Sequence, residues 1–199
     1  MLIGLLDYGV GNLGSMRSAL KQLDLDFVDL TNAEGISQVD SLIIPGVGSF
    51  NTGVSNIQKN GMYEEIVNFA KSGKRIIGIC LGMHLLASYG DEGGGADGLN
   101  LIEGKIQKLE RSKQDRVPHV GWDLIENQVS REENFAYFAH SYFFEVQSPK
   151  DCEVTDTFKW SDKRLPAVIE KENIFGIQFH PEKSHNFGLN MLSRLLTKR

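Results

Sequence analysis

Cys80 stands in Gly78-Ile79-Cys80-Leu81-Gly82, between the apolar run Arg75 to Ile79 and a second apolar stretch from Met83 to Ala87. A strand that turns at once into a helix strains its middle residue, and flanking glycines let neighbouring chain pass without side-chain clashes. At such an elbow the helix dipole and free N–H groups favour the thiolate, the form that attacks carbonyl carbon. A cysteine in arbitrary surroundings is more often a small buried hydrophobe, so it is the flanking pattern that points to a nucleophile. A thiolate nucleophile calls for a base and an orienting carboxylate, and Phe179-His180-Pro181-Glu182 carries both. Pro181 biases His180 toward extended backbone, which sends His180 and Glu182 to one side. Acyl transfer also needs donors for the developing oxyanion. The glycines of Pro45-Gly46-Val47-Gly48 permit an inward-turned N–H, and the Leu81 N–H next to the nucleophile is the second donor.

These groups are distant in sequence, and the elements around them say how they meet. Leu2 to Leu6, Ser41 to Ile44 and Arg75 to Ile79 read as buried parallel strands, with helical patterns over Ser15 to Leu23 and Met62 to Ser72. The first eighty residues therefore predict a doubly wound α/β sheet, mostly parallel, with flanking helices. In such a sheet the strand C-termini share one rim, where Cys80, His180 and the Pro45 to Gly48 segment all emerge. From about residue 99 the texture turns strand-rich, over Leu99 to Leu109, Val117 to Ile125, Phe135 to Val146, Ala167 to Glu170 and Ile174 to Phe179. A last amphipathic helix is expected over Phe187 to Leu196, with Lys198 and Arg199 suited to its C-terminal dipole. No linker or repeat divides the chain, so residues 1–199 read as a single domain.

Composition excludes several function classes. The 199 residues carry 21 Lys plus Arg against 26 Asp plus Glu, a net charge of -5 that draws the chain neither to nucleic acid nor to anionic lipid. No apolar run is long enough to cross a membrane, and Met1 to Leu6 lacks the basic start of a signal peptide. Two cysteines, Cys80 and Cys152, make no disulfide framework, so a cytoplasmic location is expected. Gly9-Val10-Gly11-Asn12-Leu13-Gly14 matches a dinucleotide-binding pattern with Asp29 as ribose ligand, the rival reading from a different function class. Gly93-Gly94-Gly95 lacks the residues of a phosphate loop and reads as a flexible surface loop. The histidines at 84, 119, 140, 180 and 185 show no metal-ligand spacing.

Gly-Ile-Cys-Leu-Gly-Met at 78 to 83, Gln-Phe-His-Pro-Glu-Lys-Ser at 178 to 184 and Pro-Gly-Val-Gly-Ser-Phe at 45 to 50 together resemble the class I (triad) glutamine amidotransferases. Within them the likeness is to the glutaminase subunits of imidazole glycerol phosphate synthase. It extends through Asp-Tyr-Gly-Val-Gly-Asn at 7 to 12, Gly-Leu-Asn-Leu-Ile-Glu-Gly at 98 to 104, Pro-His-Val-Gly-Trp at 118 to 122 and Tyr-Phe-Ala-His-Ser-Tyr at 137 to 142. The resemblance implies the fold of that class and hydrolysis of L-glutamine through a thioester on Cys80. His180 would shuttle the proton and Glu182 orient it. Gly46, Val47, Gly48 and Leu81 would surround the oxyanion, and His84, His140, Ser141 and Tyr142 the substrate. No metal or organic cofactor is implied. The implied partner is a (βα)8-barrel cyclase, bound as a heterodimer and fed ammonia, with Asn12, Pro118, His119, Trp122 and Lys183 facing it.

Two positions depart from the pattern: His84 replaces the usual glutamine, and Asp123 the usual asparagine after Gly-Trp. Both leave open a paralogue that supplies ammonia for sugar amidination or amination in surface-polysaccharide synthesis, and His84 leaves open an idle regulatory subunit. With an ordinary imidazole pKa, His84 would charge below about pH 6.5 and weaken glutamine binding.

Overall fold

The computed structural model describes residues 1–112, 115–148, 150 and 152–197; Lys198 and Arg199, expected to complement the last helix, lie outside the described residues. Its first half alternates β1 (Ile3–Leu6), α1 (Leu13–Gln22), β2 (Phe27–Leu30), β3 (Ser41–Ile44), α2 (Phe50–Lys59), α3 (Met62–Lys71), β4 (Arg75–Ile79) and α4 (Leu81–Leu85). Then follow β5 (Tyr89–Gly90), β6 (Ala96–Asp97), β7 (Gly104–Lys108), β8 (His119–Asn127), β9 (Glu133–His140) and β10 (Tyr142–Val146). The chain continues through β11 (Glu153–Trp160), β12 (Lys163–Lys171), β13 (Ile174–Ile177) and α5 (His185–Thr197).

Among the described residues, nine strands make one sheet in the order β2-β1-β3-β4-β13-β12-β11-β8-β9. Its first five strands pair in parallel and the remaining pairs are antiparallel, a mixed sheet to which the strand-rich half of the sequence contributes β8, β9, β11, β12 and β13. A second sheet runs β10-β7-β5-β6. Phe135 to Val146, one apolar stretch in the sequence, is thus divided between the two sheets, and Ser141 alone separates β9 from β10.

The apolar runs are continuous because the parallel strands are covered on both faces. Ile3, Leu5, Ile43 and Ile77 pack with Met16 and Leu20 of α1 and Leu192 of α5. Leu6, Leu42, Ile44 and Ile76 pack on the opposite side with Val54, Ile57, Ile66 and Phe69 of α2 and α3. Ile106 and Phe144 of the small sheet join that second cluster, which fixes the small sheet over the end of α4. The order β2-β1-β3-β4 reverses direction between β1 and β3, the kind of switch point at which α/β sheets open a crevice beyond their strand C-termini.

Candidate active site

The strand β4 ends at Ile79 and Cys80 follows with φ 53°, a left-handed conformation that a side chain seldom adopts. The Cys80 N–H donates to the Ile177 carbonyl at 2.7 Å, fastening the elbow to the end of β13. The glycines have the role expected of them. A methyl group built at Gly82 would overlap the Ile44 carbonyl oxygen, and one at Gly78 would run into the Gly82 backbone. Gly46 matters equally, since a Cβ there would stand 2.7 Å from both Leu81 Cβ and the Tyr8 hydroxyl. The Tyr8 hydroxyl donates to the Pro45 carbonyl at 2.6 Å, so a fully buried tyrosine anchors the start of the Pro45 to Gly48 segment against the elbow.

His180 follows β13 in extended backbone, and Pro181–Lys183 form one 3-10 turn. His180 Nδ1 and Glu182 Oε1 are 2.9 Å apart, with both side chains buried. The turn is fastened to β9 by His180 N–H to Tyr137 O at 2.8 Å and by Ser184, whose hydroxyl donates to His180 O and accepts from Tyr137 N–H. Burial alone would lower the His180 pKa, but its hydrogen bonds to Cys80 and Glu182 and their negative charge prevail and push it up to about 10. His180 is therefore held as an imidazolium beside the sulfur, an arrangement fitted to protonating a leaving amine. The Cys80 Sγ lies 3.8 Å from Ala139 O on the opposite wall.

That wall belongs to a cavity of about 280 Å³ lined by Val47, Gly48, Cys80, Leu81, His84, Glu92, Pro118, Val120, Ala139, His140, Ser141 and Tyr142. The expected oxyanion and substrate residues are thus brought together, with Gly46 packed just behind Leu81. His84 is buried, and its Nε2 meets Gln178 Oε1 at 2.9 Å. Burial pushes its pKa down to about 4 against the opposing effect of Gln178, so the expected charging near pH 6.5 does not occur. The imidazole is a neutral polar group at physiological pH.

Of the residues expected at a partner surface, Trp122 is half exposed and stacks on His185 at 4.6 Å, and Lys183 Nζ lies 5.5 Å from the centroid of Tyr137. Asn12 caps α1 by accepting from the Ser15 N–H, and Pro118 lines the cavity. His119 does not point outward. It is buried on the inner side of β8, stacked on Phe138 at 4.6 Å, because residues of a strand alternate sides and Val120 and Trp122 take the outer one. The dinucleotide reading loses its ribose ligand, since both Asp29 oxygens are 3.1 Å from Arg17 Nε. The glycine-rich turn instead lies against Pro45 and Gly46.

Three contributors escaped sequence reasoning. Tyr8 is visible there only as part of Asp-Tyr-Gly, and Gln178 as the polar residue within an apolar strand end. Glu92 precedes the three glycines read as a surface loop, yet it reaches the cavity and accepts from the Phe50 N–H at 2.8 Å. Burial raises its pKa, against the lowering effect of that bond.

Residues 5–198 match the family model described as Glutamine amidotransferase class-I. A curated relative from Prochlorococcus marinus subsp. pastoris, named Imidazole glycerol phosphate synthase subunit HisH, is 39% identical, covering 96% of each chain. The subunit of the same name from Bacillus subtilis is 35% identical over 97% of this chain and 94% of its own. Among solved structures, a crystal structure of a glutamine amidotransferase superposes with TM-score 0.78 at 20% identity, covering 98% of this chain and 97% of the other. PurLQS from Thermotoga maritima gives TM-score 0.75 at 16% identity over 98% and 96%. The solved structures share the fold, and the family model and sequence relatives show the family: the chain belongs to the class-I glutamine amidotransferases and, within them, to the family of HisH subunits of imidazole glycerol phosphate synthase.

Proposed function

We propose that this glutaminase subunit hydrolyses glutamine at Cys80 and delivers the ammonia to a (βα)8-barrel cyclase bound over the cavity, which uses it to form imidazole glycerol phosphate in histidine biosynthesis. The Cys80 thiolate attacks the side-chain carboxamide carbon, and the oxyanion forms against the backbone around Val47 and Leu81. The His180 imidazolium protonates the departing nitrogen, ammonia leaves, and a glutamyl thioester remains on Sγ. Neutral His180 then takes a proton from water as it attacks the thioester, releasing glutamate and restoring the thiolate. Glu182 holds His180 in place throughout. His84, Glu92, Ser141 and Tyr142 line the cavity and are the polar groups this reading assigns to the ends of the substrate.

The observation that carries this reading is the 2.9 Å His180–Glu182 contact beside a buried cysteine at a left-handed elbow. The partner rests on the relatives named as synthase subunits and on the apolar surface beside the cavity mouth, where Val47, Val120 and Trp122 are exposed. The test is glutamate release by the chain together with its cyclase. Cys80→Ala is expected to abolish it while leaving the circular dichroism spectrum unchanged, and turnover within tenfold of the wild type would remove Cys80 from the reaction.

A further inference from the structure

The Pro45 to Gly48 segment is tied at both ends and exposed between the ties. Strands β1 and β3 pair in the register Ile3–Ser41 to Leu5–Ile43. Carried two pairs further, that register sets Asp7 level with Pro45, and the next residue, Tyr8, reaches the Pro45 carbonyl, to which its hydroxyl donates at 2.6 Å. The far tie is at Phe50, whose N–H donates to Glu92 Oε2 at 2.8 Å, next to Ser49, the cap of α2. Between them Val47 is 49% exposed. Gly48, at φ 137°, has open space around it, with Leu81 Cδ2 3.9 Å from where a Cβ would stand.

The first tie governs the geometry of the segment. Tyr8 is fully buried, so its hydroxyl has no water to turn to and the Pro45 carbonyl is the partner it has. Burial and the Cys80 sulfur both push the Tyr8 pKa up, which keeps the phenol protonated and donating. A peptide unit is planar, so fixing the direction of the Pro45 carbonyl fixes the plane it shares with Gly46 and the line on which the chain continues. Glycine at 46 lets this happen hard against the elbow, where the Tyr8 hydroxyl and Leu81 Cβ leave no room for a side chain. The next peptide, from Gly46 to Val47, carries an N–H suited to the oxyanion, and it takes its starting direction from the pinned one.

We propose that Tyr8 is a positioning residue for glutamine hydrolysis: its hydroxyl pins the Pro45–Gly46 peptide and so aims the Val47 N–H at the oxygen of the amide under attack. Tyr8 does not line the cavity and acts through the segment. The catalytic part rests on the glutaminase reading above, whereas the pinning of the segment does not.

Two reactions of one sulfur separate this role from a purely structural one. Glutamine hydrolysis develops an oxyanion, whereas alkylation of Cys80 by iodoacetamide displaces iodide and develops none. In Tyr8→Phe, which keeps the ring, kcat for glutamine with the cyclase bound is expected to fall about tenfold, with KM changed less, a part of what a lost oxyanion donor costs. The rate of Cys80 alkylation is expected to match the wild type. Tyr8→Met, an adaptable filler without a hydroxyl, should behave alike. An unchanged kcat overturns the proposal. So does an equal fall in both reactions, which places the effect on the sulfur, and so does loss of folding in both variants, which makes the hydroxyl a strut of the core. A further measurement on the full chain needs no activity. The buried Gly46 amide is expected to exchange its hydrogen at least about tenfold faster in Tyr8→Phe, with Ile43 in β3 unchanged, and equal exchange at Gly46 refutes the pinning. If the wild-type complex releases no glutamate, the glutaminase reading falls and the exchange at Gly46 still decides whether Tyr8 holds the segment.

Discussion

At the scale of single residues, the site sets two histidines in opposite states within one small volume. His180 is stabilised as a cation by the sulfur and by Glu182, so its contribution to stability is full below the ordinary imidazole pKa and is lost as pH rises through about 10. Glutamine hydrolysis is expected to fall along an alkaline limb set by that group. Glu182→Gln removes a negative charge from the imidazolium, which should move the limb to lower pH and reduce kcat about a hundredfold or more, read from pH–rate profiles of both enzymes. His84 has the reverse sign. A buried base with its pKa pushed down to about 4 binds its proton less readily when folded, so stability falls as pH drops from about 6.5 toward 4. His84→Gln keeps a donor for Gln178 without a titrating group. Urea denaturation at pH 7 and pH 4.5 is expected to show a smaller acid penalty in the mutant by about 1–3 kcal/mol, and an equal penalty would place the acid sensitivity elsewhere.

At the scale of elements, closeness of backbone is what the site depends on. The elbow lies so near β3 that Gly82→Ala forces a methyl group against the Ile44 carbonyl, an overpacking expected to cost about 3 kcal/mol or more. Gly61, left-handed at φ 66° but with open space around it, should lose only about 1 kcal/mol on the same change. Thermal denaturation of the two variants compares them directly. Much of this was legible beforehand. The strands Ser41–Ile44 and Arg75–Ile79 are read without error because continuous burial leaves continuous apolar sequence. The helix α2 is not legible: Thr52, Gly53 and Ser55 dilute its pattern, although Phe50, Val54 and Ile57 keep helical spacing behind the Ser49 cap. β11 is hidden because its buried positions include Asp156 and Thr157, polar residues whose burial depends on partners that periodicity does not reveal. The meeting of Cys80, His180 and Glu182, and the approach of the Pro45 to Gly48 segment to the elbow, are legible from glycine, proline and spacing. Burial and side-chain contacts, which decide the state of His84 and the inward turn of His119, depend on strands distant in sequence.

At the scale of the molecule, the cavity opens beside exposed Val47, Val120 and Trp122, the apolar surface on which the proposed cyclase would close the site. The isolated chain is expected to turn over slowly. Binding of the cyclase with its acceptor should raise the rate at least about a hundredfold, or about 2.7 kcal/mol of barrier, by selecting one arrangement of the Gly46 to Gly48 segment. Trp122→Ala should weaken the complex by roughly 2 kcal/mol, measured by titration calorimetry, while leaving the unbound chain folded. Full activity of the chain alone would contradict this account.

Ser141 is the single residue between a nine-stranded sheet and a four-stranded one. The reactive sulfur and its histidine are mounted on the large frame, whereas Glu92 and Tyr142 belong to the small one and to its connections. One cavity is thus walled from two sheets that share a hydrophobic cluster. Substitutions on the cavity side of the small sheet and its connections reach Glu92 and Tyr142 while Cys80 and His180 keep their places beyond the ends of β4 and β13.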